Sequence, residues 1–240
     1  MSEVHIVKRA IIMAAGIGKR MQPLTFEIPK PLVKVNGARM IDTVVDGLHK
    51  NGINEIYVVV GYLKEQFYDW ARGENGIEII ENPYYDTCNN ISSLYVAREH
   101  LRDCVILDGD QIIYNPEILN PHFNLSGYNA LWCEGETNEW LMDVEDGVVK
   151  SCSRTGGSHG WQLYSISLWS AEDGEKLRKH IEYEFNQGNR DIYWDDVALF
   201  CHFEDYTLGI REMRASDIVE IDGLDELVAI DHSYEYLMKE

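Results

Sequence analysis

A chain of 240 residues, 45% of them hydrophobic, can bury one substantial core and falls within the size range of a single α/β domain. Its formal charge of −20 argues against nucleic acid as a partner, because phosphate backbones would be repelled across most of the surface. Five cysteines without C-x-x-C spacing indicate neither a disulfide framework nor a zinc site. Since no signal-peptide order and no apolar run near the ~18 residues of a bilayer span is present, we expect a soluble, cytoplasmic protein without membrane insertion.

The segment Arg9–Arg20, R-A-I-I-M-A-A-G-I-G-K-R, predicts a buried strand that opens into a tight glycine loop. Gly16 and Gly18 permit positive φ and let backbone N–H groups approach an anion, while Lys19 and Arg20 supply positive charge. The spacing G-x-G-K-R matches neither the dinucleotide fingerprint nor the P-loop. A triphosphate-binding loop and an ordinary strand-Gly-x-Gly turn therefore both stay open.

Positive charge is concentrated around this loop. Residues 1–34 hold six basic and two acidic side chains, a local charge of +4, which leaves −24 on the other 206 residues. Such segregation favours one site that grips a small anionic ligand. Within it, Pro29 and Pro31 fix the backbone around Lys30 and forbid helix, so we expect Lys30 to be held out on a stiff arm. A solvated lysine in a turn is the alternative.

Helices and strands alternate after the tight turn at Asn36-Gly37. Apolar residues at 41, 44, 45 and 48 predict a helix that ends at Asn51-Gly52. The further predicted elements are a strand over 56–60, a helix over 63–72, a strand over 77–80, a helix through 91–101 and a strand over 105–107. With the opening strand, this alternation predicts an α/β fold with a mostly parallel sheet and helices on both faces.

Two acidic segments are predicted at strand ends. Ligands of such sheets bind beyond the carboxyl ends of the strands, so we expect Asp108-Gly109-Asp110 to face the glycine loop across one cleft. Carboxylates there suit Mg²⁺ binding together with substrate phosphates, although Asp-Gly-Asp is also an ordinary turn sequence. Glu220-Ile221-Asp222 repeats the pattern at the end of a last strand over 218–222, where Asp222 is alternatively the cap of a C-terminal helix.

From about residue 128 the pattern changes to shorter, more aromatic strands. They are predicted over 129–134, 139–145, 148–153 and 162–169, with helices over 172–186 and 195–203. This pattern predicts a small antiparallel β extension that forms a lid or second wall. We therefore predict a single domain over 1–240, with a core of about 8–127 and 204–240 and an extension of about 128–203.

Aromatic residues stand beside acids in this extension, at Glu139-Trp140 and Trp194-Asp195. Aromatic faces with nearby carboxylates form a site for a quaternary or primary ammonium group, while packing in the core or lid is the alternative for both tryptophans. No histidine, serine or cysteine stands in a recognisable relay or nucleophile arrangement. A reaction that needs only positioning and charge neutralisation, such as in-line phosphoryl-type transfer, fits what remains.

The ordered motifs resemble a known family. Met13–Arg20 followed by Pro29-Lys30-Pro31-Leu32 resembles the A-A-G-x-G-x-R and P-K-P-L signatures of the nucleotidyltransferases with a Rossmann-like fold, and Asp110 stands where that family places its principal Mg²⁺ carboxylate. Within the family, nearly the whole chain resembles the bacterial CTP:phosphocholine cytidylyltransferases. The segments that carry this likeness are Asn82-Pro83-Tyr84-Tyr85, Asn89-Asn90 with Ser93-Leu94-Tyr95, Thr137-Asn138-Glu139-Trp140, Tyr193-Trp194-Asp195 and Glu220-Ile221-Asp222.

The resemblance implies a role for each matching residue. The implied nucleotide-binding residues are Ala14, Ala15, Gly16, Gly18, Lys19, Arg20, Asn89, Ser93 and Asp108. The implied catalytic residues are Arg20, Lys30 and Asp110, and the implied Mg²⁺ ligands are Asp110, Asp222 and Glu220. The residues implied to surround the acceptor are Trp140, Trp194 and Asp195.

The implied reaction is Mg²⁺-dependent transfer of CMP from CTP to phosphocholine, which gives CDP-choline and pyrophosphate. A cage of tryptophan and carboxylate would also accept phosphoethanolamine or 2-aminoethylphosphonate, and no residue decides between them. A sugar 1-phosphate fits less well, because the aromatic and acidic wall offers few partners for a polyol. A catalytically silent nucleotide-binding module is the non-enzyme alternative, which the presence of the basic loop and the acids argues against. The oligomeric state is not readable from the sequence.

Overall fold

The computed structural model describes residues 4–239 and defines fifteen strands and six α-helices within them. The strands are β1 (His5–Ile6), β2 (Arg9–Ala14), β3 (Lys34–Val35), β4 (Ala38–Arg39), β5 (Glu55–Val60), β6 (Ile77–Glu81), β7 (Cys104–Asp108), β8 (Gln111–Ile113), β9 (His122–Phe123), β10 (Gly127–Thr137), β11 (Leu141–Glu145), β12 (Val148–Ser153), β13 (Gly157–Trp169), β14 (Gly209–Glu212) and β15 (Ile218–Glu220). The helices are α1 (Met40–Lys50), α2 (Lys64–Ala71), α3 (Ile91–Val96), α4 (Ala171–Gln187), α5 (Trp194–Asp196) and α6 (Leu224–Ile230).

The parallel core consists of β6, β5, β2 and β7, which lie side by side in that order. Because β2 comes first in the chain and lies between β5 and β7, the strand order reverses direction between β2 and β7. This reversal places the glycine loop and Asp108-Gly109-Asp110 beside one another, at the position where doubly wound sheets bind their ligands. The predicted parallel core is confirmed.

The antiparallel extension continues the same sheet. Strand β13 pairs with β7 with Ile166 opposite Leu107, and β10 runs antiparallel along most of β13. Strands β11, β12 and β14 complete a nine-stranded sheet. The sheet is therefore mixed as a whole, with the predicted extension forming the wall beside β7.

Two layers of helix cover the core, and the period-two alternation of a strand decides which side chain meets which layer. Ile12 belongs to the face that packs against Val44 and Leu48 of α1, while Ile11 belongs to the opposite face, with α3, α4 and the buried Trp169. All five side chains are essentially inaccessible to water. The predicted helices on both faces are confirmed, and within residues 4–239 every helix is too short or too polar to traverse a bilayer.

Several predicted boundaries differ from the structure. The helix predicted through 91–101 ends at Val96 and is followed by a 3-10 turn, Arg98–His100. The helix predicted over 195–203 consists of α5 and a π-helical turn, Val197–Cys201. The strand predicted over 218–222 ends at Glu220 and pairs with β8 outside the main sheet. The predicted domain limits 1 and 240 lie outside the described residues.

Candidate active site

The glycine loop follows β2 and is held in place by a hydrogen bond from Thr25. Gly18 has φ 68° and precedes a 3-10 turn, Lys19–Met21, and the Thr25 hydroxyl donates a 2.8 Å hydrogen bond to the Gly18 carbonyl. A Cβ at Gly18 would lie 3.0 Å from Thr25 Cγ2. Gly16 lies in open space and is not among the glycines with positive φ, so only Gly18 fulfils the predicted conformational requirement.

Lys30 does not point into solvent, as the stiff-arm prediction expected. The residues Lys30–Leu32 form a 3-10 turn, which prolines tolerate at its first positions, and Lys30 is only 7% exposed. Its Nζ lies 2.6 Å from Asp110 Oδ2 and 3.0 Å from Asp222 Oδ1. The exposed Arg20 reaches the same Asp222 oxygen at 2.8 Å. The basic segment and both acidic segments therefore meet in one cleft, as the strand-end reasoning predicts.

Three carboxylates in this cleft could hold a cation. Asp108, Asp110 and Glu220 each offer an oxygen, and the three oxygens lie within 4.8 Å of one another. The antiparallel pair β8–β15 explains this arrangement, because its register sets Glu220 opposite Gln111, the residue after Asp110. An all-oxygen donor set is typical of Mg²⁺, Ca²⁺ or Mn²⁺ sites. Asp222, implied as a ligand by the resemblance, lies outside this triad and pairs with Lys30 and Arg20.

The electrostatics of the cleft favour a bound cation. Burial raises the pKa of Asp108 well above its usual value, the charge of Asp110 adds to this, and Lys30 opposes it. Glu220 shows the same direction, with burial as the largest cause of its raised pKa. For Lys30, burial lowers the pKa, but the charges and hydrogen bonds of Asp110 and Asp222 outweigh burial and raise it. Burial and the neighbouring carboxylates thus oppose ionisation of Asp108 and Glu220, which a bound cation would favour, while Lys30 is held protonated.

The other wall of the cleft is aromatic and comes from the extension. Trp140, just before β11, makes edge-to-face contacts with Tyr193 and Phe200, with ring centroids 5.7 and 5.6 Å apart. Arg154 lies over Phe200 with its guanidinium carbon 3.8 Å from the ring centroid, and its Nη2 lies 2.5 Å from Asp196 Oδ1. Arg154 therefore links Asp196 to Phe200, the ring that packs against Trp140.

Asp195 contributes a carboxylate to that wall. Its Oδ1 and the Tyr128 hydroxyl are both buried without a partner in good hydrogen-bond geometry among the residues that the structure describes. Burial is the largest cause that raises the pKa of Asp195, to about 7, and Tyr128 is the side-chain donor whose proximity lowers that pKa. At the start of α5, the neighbouring Asp196 accepts a 2.9 Å hydrogen bond through its Oδ2 from the Tyr193 N–H. Because a buried carboxylate oxygen is costly without a donor, the Tyr128 hydroxyl and a ligand N–H or O–H group in the cleft are the two donors open to Asp195.

The structure brings most of the implied site residues into one cleft of about 460 Å³. Those that line it are Ala14, Gly16, Gly18, Lys19, Arg20, Lys30, Asp108, Asp110, Trp140, Asp195, Glu220 and Asp222. Asn90, Glu139, Ser165 and Tyr193 also line it. Asn90 belongs to the stretch implied to border the cytosine, and Glu139 and Tyr193 stand inside motifs already noted, whereas nothing in the sequence around Ser165 marks it.

Four implied residues lie elsewhere. Trp194 is 2% exposed and packs in the core against Tyr128 and Trp169, with ring centroids 6.2 Å away in both cases. The remaining three, none of them a cleft-lining residue, are Ala15, Asn89 and Ser93. The Asn89 amide donates to the Asp191 carbonyl, and the hydroxyl of the buried Ser93 accepts a hydrogen bond from the Asn82 amide.

The doubly wound sheet and a cleft of basic loop and carboxylates at its switch point define a protein that handles phosphate-bearing nucleotides. Residues 10–181 match the MobA-like NTP transferase domain, and the chain belongs to that family. It is similar to the 2-aminoethylphosphonate cytidylyltransferase of Lancefieldella rimae, with 38% identity over 96% of this chain and 94% of the relative. The chain is thus a nucleotidyltransferase enzyme.

Further relatives agree with this family. The chain is 32% identical to the choline-phosphate cytidylyltransferase of Streptococcus pneumoniae, over 91% of this chain and 94% of the relative. Among solved structures, the CTP:phosphocholine cytidylyltransferase of Streptococcus pneumoniae superposes with a TM-score of 0.85 at 31% identity, covering 96% of this chain and 99% of that one. The similarity spans core and extension alike, so the nucleotidyltransferase fold holds over the whole described chain.

Proposed function

We propose that this protein transfers CMP from CTP to a small acceptor that carries a phosphonate or phosphate at one end and a primary ammonium at the other, with 2-aminoethylphosphonate as the first candidate. The observation that carries the choice of acceptor is the Asp195 carboxylate in the cleft wall, whose side-chain donor within the protein is the Tyr128 hydroxyl and which can accept a further hydrogen bond from a ligand. A primary ammonium supplies N–H donors to this carboxylate, and a quaternary ammonium has none. The 38% identity to a 2-aminoethylphosphonate cytidylyltransferase supports the same choice.

The proposed step needs no covalent intermediate. A phosphonate oxygen of the acceptor attacks the α-phosphorus of CTP in line, and the bond from that phosphorus to the oxygen bridging to the β-phosphorus breaks, so that pyrophosphate leaves. The attacking oxygen is already ionised near pH 7, so no general base is required. This fits the absence of a histidine relay among the residues that line the cleft.

The residues of the cleft have distinct proposed roles. Backbone N–H groups of the loop at Gly16 and Gly18, with Lys19 and Arg20, bind the CTP phosphates. Lys30 holds the α-phosphate and the acceptor's anionic group close together, which offsets their mutual repulsion. The rim near Asn89 and Ser93 borders the cytosine.

Asp108, Asp110 and Glu220 offer the oxygen donors that a magnesium ion prefers, and Asp222 contacts the same Lys30 as Asp110. When bound, Mg²⁺ would neutralise charge on the pyrophosphate leaving group. The acceptor ammonium is proposed to lie between Asp195 and the ring of Trp140, with Tyr193 in place of the buried Trp194 as the second aromatic neighbour.

Phosphocholine is the second candidate acceptor. The aromatic wall of Trp140, Tyr193 and Phe200 favours it, because a quaternary ammonium binds mainly through ring faces. The 31% identity to a CTP:phosphocholine cytidylyltransferase of known structure also supports it. The edge-to-face packing of Trp140 against both neighbours leaves fewer free ring faces than a full cage would offer.

Pyrophosphate release from CTP and Mg²⁺ tests the proposal directly, with 2-aminoethylphosphonate, phosphoethanolamine and phosphocholine as parallel acceptors. We expect the two primary amines to give the higher kcat/KM, and UTP, ATP and GTP to replace CTP poorly. A preference for phosphocholine would overturn the role given to Asp195. Release with none of the three acceptors would overturn the substrate class as a whole.

A further inference from the structure

Asp110 has two competing partners in this cleft. Its Oδ2 lies 2.6 Å from Lys30 Nζ, and one of its oxygens also belongs to the carboxylate triad with Asp108 and Glu220. A carboxylate that forms a short ion pair with a buried lysine is poorly available to a divalent cation, because both cations draw on the same negative charge. The lysine and the metal are therefore not independent ligands of the cleft.

The same lysine is bound on a second side. Lys30 Nζ lies 3.0 Å from Asp222 Oδ1, which also contacts Arg20 at 2.8 Å. The Lys30 side chain is 9% exposed, so water screens these pairs weakly. The protein thus neutralises part of its acidic cleft with its own basic residues, which are the residues proposed to contact the CTP phosphates.

The Lys30 side chain offers a route by which its ammonium can move from these carboxylates to a nearby phosphate. Its four-carbon stem has several rotatable bonds, while the 3-10 turn Lys30–Leu32 and Pro29 fix where that stem begins. A triphosphate entering the cleft offers Lys30 a stronger and more concentrated negative charge than Asp110 alone. Release of Asp110 is then a side-chain movement driven by the nucleotide.

We propose that Lys30 is a built-in counter-cation that competes with the divalent ion for Asp110, so that the nucleotide-free protein binds the ion weakly and CTP opens the site by drawing Lys30 onto its phosphates. This proposal rests on the metal role given above to Asp108, Asp110 and Glu220. By linkage, CTP and the ion each tighten the binding of the other by the same factor. The consequence is that CTP and the divalent ion bind together, and that the ion is bound only weakly while CTP is absent.

The test measures Mn²⁺ binding to the full chain without CTP, by electron paramagnetic resonance and calorimetry. Lys30→Met keeps the apolar stem and removes the charge, and we expect it to tighten Mn²⁺ binding about tenfold or more, because one nearby competing charge is gone. Lys30→Gln is measured beside it, so that a folding defect in one variant does not decide the result. Unchanged or weaker binding in the folded variants would overturn the proposal.

Lys19→Met is the matched control. Lys19 lines the same cleft, is exposed, and forms no ion pair with any residue that the structure describes. Its substitution removes the same formal charge, and we expect less than about a threefold change in Mn²⁺ affinity, as for an exposed, screened charge. Equal tightening in the Lys19 and Lys30 variants would show an effect of net charge only and would overturn the specific role of Lys30.

A second measurement uses a CTP analogue that cannot be cleaved. In the unsubstituted protein we expect the analogue to tighten Mn²⁺ binding strongly. In Lys30→Met we expect the analogue to tighten Mn²⁺ binding less, because the substitution alone has already produced part of that gain in affinity. An equal gain in both proteins contradicts the competition. Asp110→Asn distinguishes a failure of this proposal from a failure of the proposed function. If Asp110→Asn leaves the Mn²⁺ affinity unchanged, the proposed metal site is wrong. If Mn²⁺ binds as expected but no pyrophosphate is released, only the proposed substrates are refuted.

Discussion

The parallel core and the antiparallel extension build opposite walls of one cleft in different ways. In the core, the glycine loop and Asp108-Gly109-Asp110 lie at the carboxyl ends of β2 and β7, so a short motif carries both the strand and its chemistry. In the extension, Trp140 precedes β11, Ser165 lies inside β13 and Asp195 lies in α5. The phosphate side is therefore encoded locally, while the acceptor side depends on how distant segments pack.

This difference also separates two tasks. The core wall consists of charged side chains, among which Lys30 forms ion pairs with Asp110 and Asp222. The extension wall offers the aromatic ring of Trp140 and the carboxylate of Asp195. We expect substitutions in the core wall to change turnover and those in the extension wall to change the acceptor's KM, while buried residues behind either wall change stability.

The largest expected effect is in the core wall. Asp110→Asn should lower kcat for pyrophosphate release by about 10³-fold or more, because loss of a metal-holding carboxylate removes several kcal/mol of transition-state stabilisation. The exposed Asp143 on β11 provides a control, and Asp143→Asn should leave kcat within about twofold. Near-normal turnover by the Asp110 variant would rule out its metal role.

Behind the extension wall, Trp194→Ala should lower the free energy of unfolding by about 3–5 kcal/mol, as expected for removal of a buried tryptophan. Urea denaturation monitored by circular dichroism measures it. Trp194→Phe, which retains an aromatic ring, should lose less. If Trp194→Ala is as stable as the unsubstituted protein and only the acceptor's KM rises, Trp194 belongs to the acceptor site that the resemblance implied.

Asp195→Asn should raise KM for 2-aminoethylphosphonate by about 10- to 100-fold, because a hydrogen bond to a charged group contributes about 1.5–3 kcal/mol. Its raised pKa of about 7 also predicts a pH dependence. As pH falls through about 7, the carboxylate takes up a proton and loses the charge that attracts the ammonium, so KM should rise.

The acceptor titrates in the same way whether it is assayed with the unsubstituted protein or with Asp195→Asn. A comparison of the two pH profiles of KM therefore isolates the contribution of Asp195. The variant should lack the part of the pH dependence that Asp195 causes. Identical pH profiles in the two proteins would contradict the assignment. For phosphocholine, which has no N–H to donate, Asp195→Asn should raise KM less than for 2-aminoethylphosphonate.

The smallest expected effect concerns the ring face of Trp140. Trp140→Ala should raise the acceptor's KM about 5- to 30-fold and leave the KM for CTP nearly unchanged, since a desolvated cation–π contact contributes about 1–2 kcal/mol. Trp140→Phe should recover part of the loss. A defect confined to CTP would move Trp140 from the acceptor side to the nucleotide side.

Much of the core could be predicted from the sequence because its signals are local. Unbroken apolar runs mark strands buried on both faces, and the strand-end rule places Asp108 and Asp110 opposite the glycine loop. Burial of Lys30 was missed, since the partners that bury its charge, Asp110 and Asp222, lie far along the chain. Tryptophan beside acid likewise does not distinguish Trp140 in the cleft from Trp194 in the core.

The sequence by itself determined the doubly wound core, the glycine loop and the acids that follow its strands, because each of these depends on residues a few positions apart. Only the tertiary structure decided which acids form the triad with Asp110, that Lys30 and Arg20 are paired with Asp222, and that Asp195 Oδ1 lies buried beside Tyr128. The pairings of Lys30 across the cleft join it to Asp110 and Asp222, 80 and 192 positions away, and their geometry depends on strand register and packing, which no local pattern records.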